Sequence, residues 1–125
     1  ADIDHFKQIN DTYGHNIGDD ILRMVSQTLS ANTLTSDFAG RWGGEEFALI
    51  IQQVSHPTLH RIANKLRALV EHSGLHHEDQ LIHTTITMGA TLALPDDTPT
   101  SLVERADALL YRGKNSGRNR VITEP

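Results

Sequence analysis

Two glycines followed by two carboxylates, Gly43-Gly44-Glu45-Glu46, stand between the apolar runs Phe38-Ala39-Gly40-Arg41-Trp42 and Phe47-Ala48-Leu49-Ile50-Ile51. Such flanks around paired glycines predict a β-hairpin with Gly-Gly at the turn, because glycine adopts positive φ without steric cost. A turn bare of Cβ atoms lets a bulky ligand approach the backbone. Two adjacent carboxylates offer the hard oxygen donors that Mg²⁺ prefers, so the chemistry suggested is that of phosphates. An ordinary exposed hairpin with solvated glutamates would carry the same residues. Two further carboxylates, Asp2 and Asp4, open the chain.

The elements that must position these groups follow from periodicity. Asp11 to His15 read as a turn, and Ile21, Val25 and Leu29 recur every fourth residue within a helix from about Ile17 to Asn32. Asp19 and Asp20 then fall in its first turn, where carboxylates suit the helix dipole. After the hairpin, Ser55-His56-Pro57 reads as an N-cap with proline near the first helical position, and an apolar stripe from Leu59 to Val70 ends at Gly74. Alternation over residues 82 to 94 predicts one strand, broken by Pro95 to Pro99. Ser101-Leu102-Val103-Glu104 has capping-box spacing and launches a last helix, followed by Gly113, Gly117 and a short strand at Val121-Ile122.

That order predicts a mixed α/β sandwich: a palm-like or ferredoxin-like, mainly antiparallel sheet flanked by helices. In such a sheet the hairpin turn can lie beside the end of the first strand, bringing Glu45 and Glu46 near Asp2 and Asp4. Gathered carboxylates repel one another unless a cation sits among them, which is the physical reason to expect a divalent metal. The alternative is that these acids never meet.

A length of 125 residues with 38% hydrophobic and 22% charged residues fits one globular domain. The net charge of −5 argues against a nucleic-acid duplex or an anionic membrane surface as partner. Cysteine is absent, which excludes a disulfide framework and thiol catalysis and is compatible with a reducing compartment.

Three separated segments agree in order and spacing with one family: Asp2-Ile3-Asp4-His5-Phe6-Lys7-Gln8-Ile9-Asn10-Asp11 with Gly14-His15 and Gly18-Asp19, then Arg41 to Phe47, then Asp107-Ala108-Leu109-Leu110-Tyr111 with Lys114 and Gly117-Arg118-Asn119. Over nearly its whole length the chain resembles the GGDEF domain of diguanylate cyclases. The resemblance implies synthesis of cyclic di-GMP from two GTP molecules, with release of two pyrophosphates, across a homodimer of domains. It implies Asp2, the carbonyl of Ile3, Glu45 and Glu46 as ligands of two Mg²⁺ (or Mn²⁺) ions per half-site, with Glu45 and Glu46 catalytic. It implies Asn10 and Asp19 at guanine, where an amide and a carboxylate discriminate that base from adenine. Backbone amides around His5, Phe6 and Lys7, with Gly43, Gly44, His15, Lys114 and Arg118, would complete the nucleotide site. Read without the family, Asn10 and Asp19 are equally a turn residue and a helix-start residue, and Arg112 to Arg120 a solvated basic run.

Departures from the pattern are informative. Many members carry an Arg-x-x-Asp product-inhibition site, whose Asp position is Asp37 and whose Arg position is Leu34. Leucine cannot fork to a phosphate. We therefore expect no tight product binding there, and a calorimetric titration with cyclic di-GMP showing tight binding that Asp37→Ala abolishes would overturn this. Members also carry an apolar half-strand and a helix upstream of Asp2, so the expectation is a GGDEF domain over residues 1–125 lacking its N-terminal part, with reduced stability alone. An upstream sensory or receiver domain and a cytoplasmic setting, free or as part of a membrane-anchored sensor, are implied likewise, with no membrane contact by the domain itself. Two readings from other classes are a silent GGDEF domain that senses GTP or cyclic di-GMP through protein contacts, and a palm-like transferase acting on a nucleic-acid primer. His56 and His60 share a zinc-compatible spacing without an obvious third ligand, and Trp42 and Phe47 read as packing residues.

Overall fold

Ile17, Ile21, Val25 and Leu29 share one helical face, and in the computed structural model, which describes residues 1–124, that face is buried. It belongs to the third element in a chain of strands and helices that runs β1 (Asp2–Ile3), α1 (Phe6–Tyr13), α2 (His15–Ala31), β2 (Phe38–Gly43), β3 (Glu46–Ile50), α3 (His56–Glu71), β4 (Gly74–His77), β5 (Gln80–His83), β6 (Ile86–Ala90), α4 (Pro99–Asn115) and β7 (Val121–Thr123). No helix among the described residues is long and apolar enough to cross a membrane.

The main sheet has the order β2-β3-β1-β6-β7, antiparallel except for the parallel pair β6–β7, and β4–β5 form a separate hairpin. This is the expected mixed, mainly antiparallel sheet with helices packed on it. Successive residues of β6 face opposite sides. Ile86 and Met88 join the core with α2 and α3, while Thr87 and Gly89 face α4: a Cβ on Gly89 would lie 2.3 Å from the Ala106 carbonyl oxygen. Because Asp2 is registered opposite Thr87, its side chain faces α4 as well.

Three expectations are corrected. The turn expected over Asp11 to His15 shrinks to Gly14, because Phe6–Tyr13 form a short helix whose largely polar residues hide its single fully buried one, Ile9. The strand expected over residues 82 to 94 divides at Thr84-Thr85, where the chain leaves the β4–β5 hairpin for the main sheet, and it ends at Ala90. The last helix begins earlier than Ser101: Thr98 is its N-cap, with the Ser101 amide donating to Thr98 Oγ1 (3.1 Å) and the Thr98 amide to Ser101 Oγ (2.9 Å). Pro99 fits the first helical position, where a missing N–H loses nothing. By contrast Ser55 caps α3 as expected, accepting from the Thr58 amide.

Arg105 ties α4 to the preceding loop and to the chain's far end. It donates to Asp97, to the Leu92 carbonyl (2.6 Å) and to Glu124 (3.2 Å). Hydrogen bonds from Arg105, then from the Leu94 amide and Ser101, hold the Asp97 carboxyl down at about 2 against an ordinary 3.8. A depressed carboxyl contributes stability that is present above its unfolded pKa and lost as pH falls through the folded one. The melting temperature should therefore decline between about pH 4 and pH 2 by more than in Asp97→Asn, which lacks this carboxylate. Equal declines in the two proteins would refute it.

Candidate active site

Sheet register builds the site from β1 outward. Asp2 lies directly opposite Glu46, and the Ile3 amide donates to the Glu45 carbonyl at 3.2 Å. Directly opposed residues of an antiparallel pair share one face, with Cβ atoms roughly 5 Å apart. The expected Gly43-Gly44 turn is shifted by one residue: Gly43 remains paired with Glu46 as the last residue of β2, so Gly44 and Glu45 make the turn. Gly44 takes φ 54°, and its carbonyl accepts from Arg41 Nε at 2.8 Å. A Cβ on either glycine would meet nothing within 4 Å, which leaves the approach to the turn open. Phe47 is in the core as expected, but Trp42 is 63% exposed and packs into no core.

The buried Asp2 carboxylate accepts from Lys114 Nζ of α4 at 2.6 Å, and the two glutamates are half-buried. The four donors implied for a metal, the carboxylates of Asp2, Glu45 and Glu46 and the Ile3 carbonyl, thus lie on β1, on the start of its neighbour β3 and on the turn that leads into β3. All are hard oxygens, the chemistry that suits Mg²⁺ or Mn²⁺. No group of three acidic, histidine or cysteine side chains close enough to hold an ion forms among the described residues. Asp2 turns to Lys114, and Asp4 is engaged elsewhere.

Asp4 does not join the acidic cluster. Its buried carboxylate accepts from Thr85 Oγ1 (2.7 Å), Thr87 Oγ1 (2.5 Å) and the Asn119 amide (2.9 Å). Asn119 in turn accepts from Arg67 Nη1 at 2.9 Å and donates to Glu71, which lie on α3. The Asn119 side-chain carboxamide first, and Arg67 second, hold the Glu71 carboxyl below its ordinary range. Of these groups sequence reasoning singled out only Asp4, and Asn119 as a motif residue. The others carry no local signal, because threonines on a strand and an Arg-Glu pair four apart on a helix are common surface patterns.

Next to β1, α1 begins at His5, a left-handed residue (φ 55°, ψ 34°) with no side-chain cap. The first α-helical bond runs from the Ile9 amide to the His5 carbonyl, so the amides of Phe6, Lys7 and Gln8 precede it at the positive end of the helix. Such an end is suited to bind phosphate. Past Gly14, α2 crosses α1 closely: a Cβ on Gly18 would lie 1.9 Å from Asn10 Oδ1 and 3.3 Å from Phe6 Cζ. Asn10 therefore sits on α1 rather than in a turn, against Gly18, with the exposed Asp19 as the next residue of α2. Because α2 starts at His15, Asp19 and Asp20 lie beyond its first turn and are not capping residues; Asp20 pairs with Arg23 at 2.6 Å. His15 and Lys7 are exposed.

Asp37 and His56 are engaged elsewhere in the fold. Asp37 accepts from the amides of Leu34 (3.1 Å) and Gln52 (3.0 Å), so both its oxygens serve the base of the β2–β3 hairpin, and Leu34 is exposed. His56 Nε2 lies 2.8 Å from the Glu124 carbonyl.

The family model described as "Diguanylate cyclase, GGDEF domain" matches residues 1–120. Diguanylate cyclase A of Treponema denticola is 40% identical over 121 residues, which cover 96% of this chain and 33% of that protein. The chain thus spans about a third of that curated relative's length. The GGDEF domain of DgcB from Caulobacter crescentus, solved in complex with c-di-GMP, superposes with a TM-score of 0.93 at 36% identity, covering 98% of this chain and 73% of that one. The diguanylate cyclase SiaD of Pseudomonas aeruginosa, solved with its activator SiaC, superposes with a TM-score of 0.94 at 32% identity, covering 98% of this chain and 47% of the other.

Proposed function

Since the chain belongs to the GGDEF family of diguanylate cyclases, we propose that it condenses two GTP molecules into cyclic di-GMP. The observation that carries the reading is the juxtaposition, at one end of the sheet, of Asp2, Ile3, Glu45 and Glu46 with the uncapped start of α1 and with Lys114. In this reading Asp2, the Ile3 carbonyl and the two glutamates hold divalent metal, two Mg²⁺ or Mn²⁺ ions per half-site. When bound, such ions acidify an attacking hydroxyl and neutralise phosphate charge.

The protein's own groups do the rest. The α1 amides, Lys114 and Arg118 orient the triphosphate, and the open backbone at Gly43-Gly44 admits it. Asn10 and Asp19 hold guanine, while His15 borders the base. The 3′-oxygen attacks the α-phosphorus, the bond to pyrophosphate breaks, and Glu45 takes up or directs the hydroxyl proton. A second, opposite attack closes the ring. Because the product has two-fold symmetry and each domain holds one GTP, two copies must face each other. Control by an attached sensory or receiver module, a cytoplasmic setting and the lack of an inhibitory product site at Asp37 belong to the same proposal.

Gly18→Ala provides a selective test of the guanine pocket. Its Cβ would lie 1.9 Å from Asn10 Oδ1, the end of a side chain that can turn away, and 3.3 Å from Phe6 Cζ, which need give only slightly, so the fold should survive while the Asn10 carboxamide is displaced. GTP affinity should fall about tenfold with an unchanged melting temperature. Unchanged affinity in a well-folded variant would remove Asn10 from the base site. The overall test is incubation of the complete, dimeric protein with GTP and Mg²⁺. Cyclic di-GMP formation supports the reading, whereas GTP binding without turnover would make the domain a sensor.

A further inference from the structure

Between α4 and β7 the backbone is left-handed at three consecutive residues: Gly117 (φ 123°), Arg118 (φ 63°) and Asn119 (φ 45°). Side-chain-bearing residues avoid that region, so two in succession persist only where the surroundings impose them. Here the restraints are identifiable. The Arg118 amide donates to the Gly113 carbonyl at 3.0 Å, and its carbonyl accepts from Arg120 Nε at 2.9 Å. The Asn119 amide is shared between Asp4 Oδ2 (2.9 Å) and Thr87 Oγ1 (3.1 Å), both on buried residues. Its carboxamide uses both ends on α3, accepting from Arg67 and donating to Glu71. The Arg118 guanidinium, by contrast, has no hydrogen-bond or ion-pair partner among the described residues.

We propose that Asn119 is the positioning residue for Arg118, locking the left-handed turn onto Asp4 and Thr87 below and onto Arg67 and Glu71 of α3 beside it, so that the guanidinium is presented to phosphate already oriented. The inference rests on the reading of Arg118 as a phosphate ligand. A long side chain on a loose loop must be ordered when ligand binds, whereas one on an immobilised turn needs less ordering. Asn119 touches no substrate in this arrangement and acts only through its neighbour.

A double-mutant cycle on the complete protein tests it, with kcat/KM for GTP in the presence of Mg²⁺, GTP affinity and the melting temperature measured together. Glycine accepts φ 45° without strain, so Asn119→Gly removes the carboxamide clamp while leaving the turn accessible. Arg118→Ala and Asn119→Gly should each lower kcat/KM about 10- to 100-fold, and the double variant should be no worse than Arg118→Ala within about threefold. A merely structural role would make the two losses multiply, and that result, or an unaffected Asn119→Gly, overturns the inference. If Arg118→Ala itself has no effect, the phosphate reading fails and the inference with it. Should the wild type bind GTP without turnover, the same cycle is read on GTP affinity. Should Asn119→Gly fail to fold, Glu71→Gln enters the cycle in its place under the same criteria.

Discussion

Alanine in place of Glu45 is expected to abolish cyclic di-GMP synthesis, by about a thousandfold or more, while leaving the fold intact. Glu45 lies on a two-residue turn, half-buried, and its structural contribution is a backbone carbonyl accepting from Ile3, which any residue supplies. Removing its side chain therefore withdraws a charge from the reaction and little from the core. Groups that stabilise developing charge in a water-poor site are worth about 3–4 kcal/mol each, or two to three orders of magnitude. Glu45 is assigned both metal ligation and proton handling, so its loss should lie at or beyond the upper end. Chromatographic quantification of product from wild type and variant, at matched melting temperatures, measures it. Product formation within tenfold of wild type would displace Glu45 from the reaction centre.

Asp4→Ala should act oppositely, on stability first. Three donors lose one acceptor: the hydroxyls of Thr85 and Thr87 and the amide of Asn119, with Asp4 and Thr87 both buried. Hydrogen bonds to a charged acceptor contribute about 1.5–3 kcal/mol each, and a buried donor left without a partner costs a similar amount. These terms overlap, so the net loss is about 3–5 kcal/mol, equivalent to about 10–20 °C in melting temperature for a domain of this size. Differential scanning calorimetry reads it directly. A shift below about 3 °C would mean that water substitutes for the carboxylate, and the anchoring role of Asp4 would be lost.

The contrast between these two carboxylates marks how far the sequence could be read. The Gly43–Phe47 hairpin, the α2 and α3 stripes and the mixed sheet were legible because glycine pairs and apolar periodicity are local signals. Resemblance extended that reading to Asp2, Asn10, Asp19, Lys114 and Arg118. Helix α1 was hidden because only Ile9 of its eight residues is fully buried, leaving little periodicity to detect. The β4–β5 hairpin was hidden by a continuous alternation through Thr84 and Thr85 that gives no sign of where the chain changes sheets. Asp4 was misplaced for a different reason: its neighbour in sequence, Asp2, suggested a shared role, whereas its partners Thr85, Thr87 and Asn119 are distant along the chain. Partner choice at that separation is decided by the assembled fold.

The hydrogen bonds from Lys114 to Asp2 and from Asn119 to Asp4 span 112 and 115 residues of a 125-residue chain. Contacts of such separation close late and slow folding, because nearly the whole chain must be ordered before they repay its entropy. During synthesis, then, β1 and the residues just after it wait for α4 and the turn that follows it. Asp2 and Asp4 emerge from the ribosome early, yet neither can reach its partner until α4 and the turn beyond it have been made. A nascent chain that stops short of α4 consequently cannot hold Asp2 and Asp4 in the places they take in the folded domain.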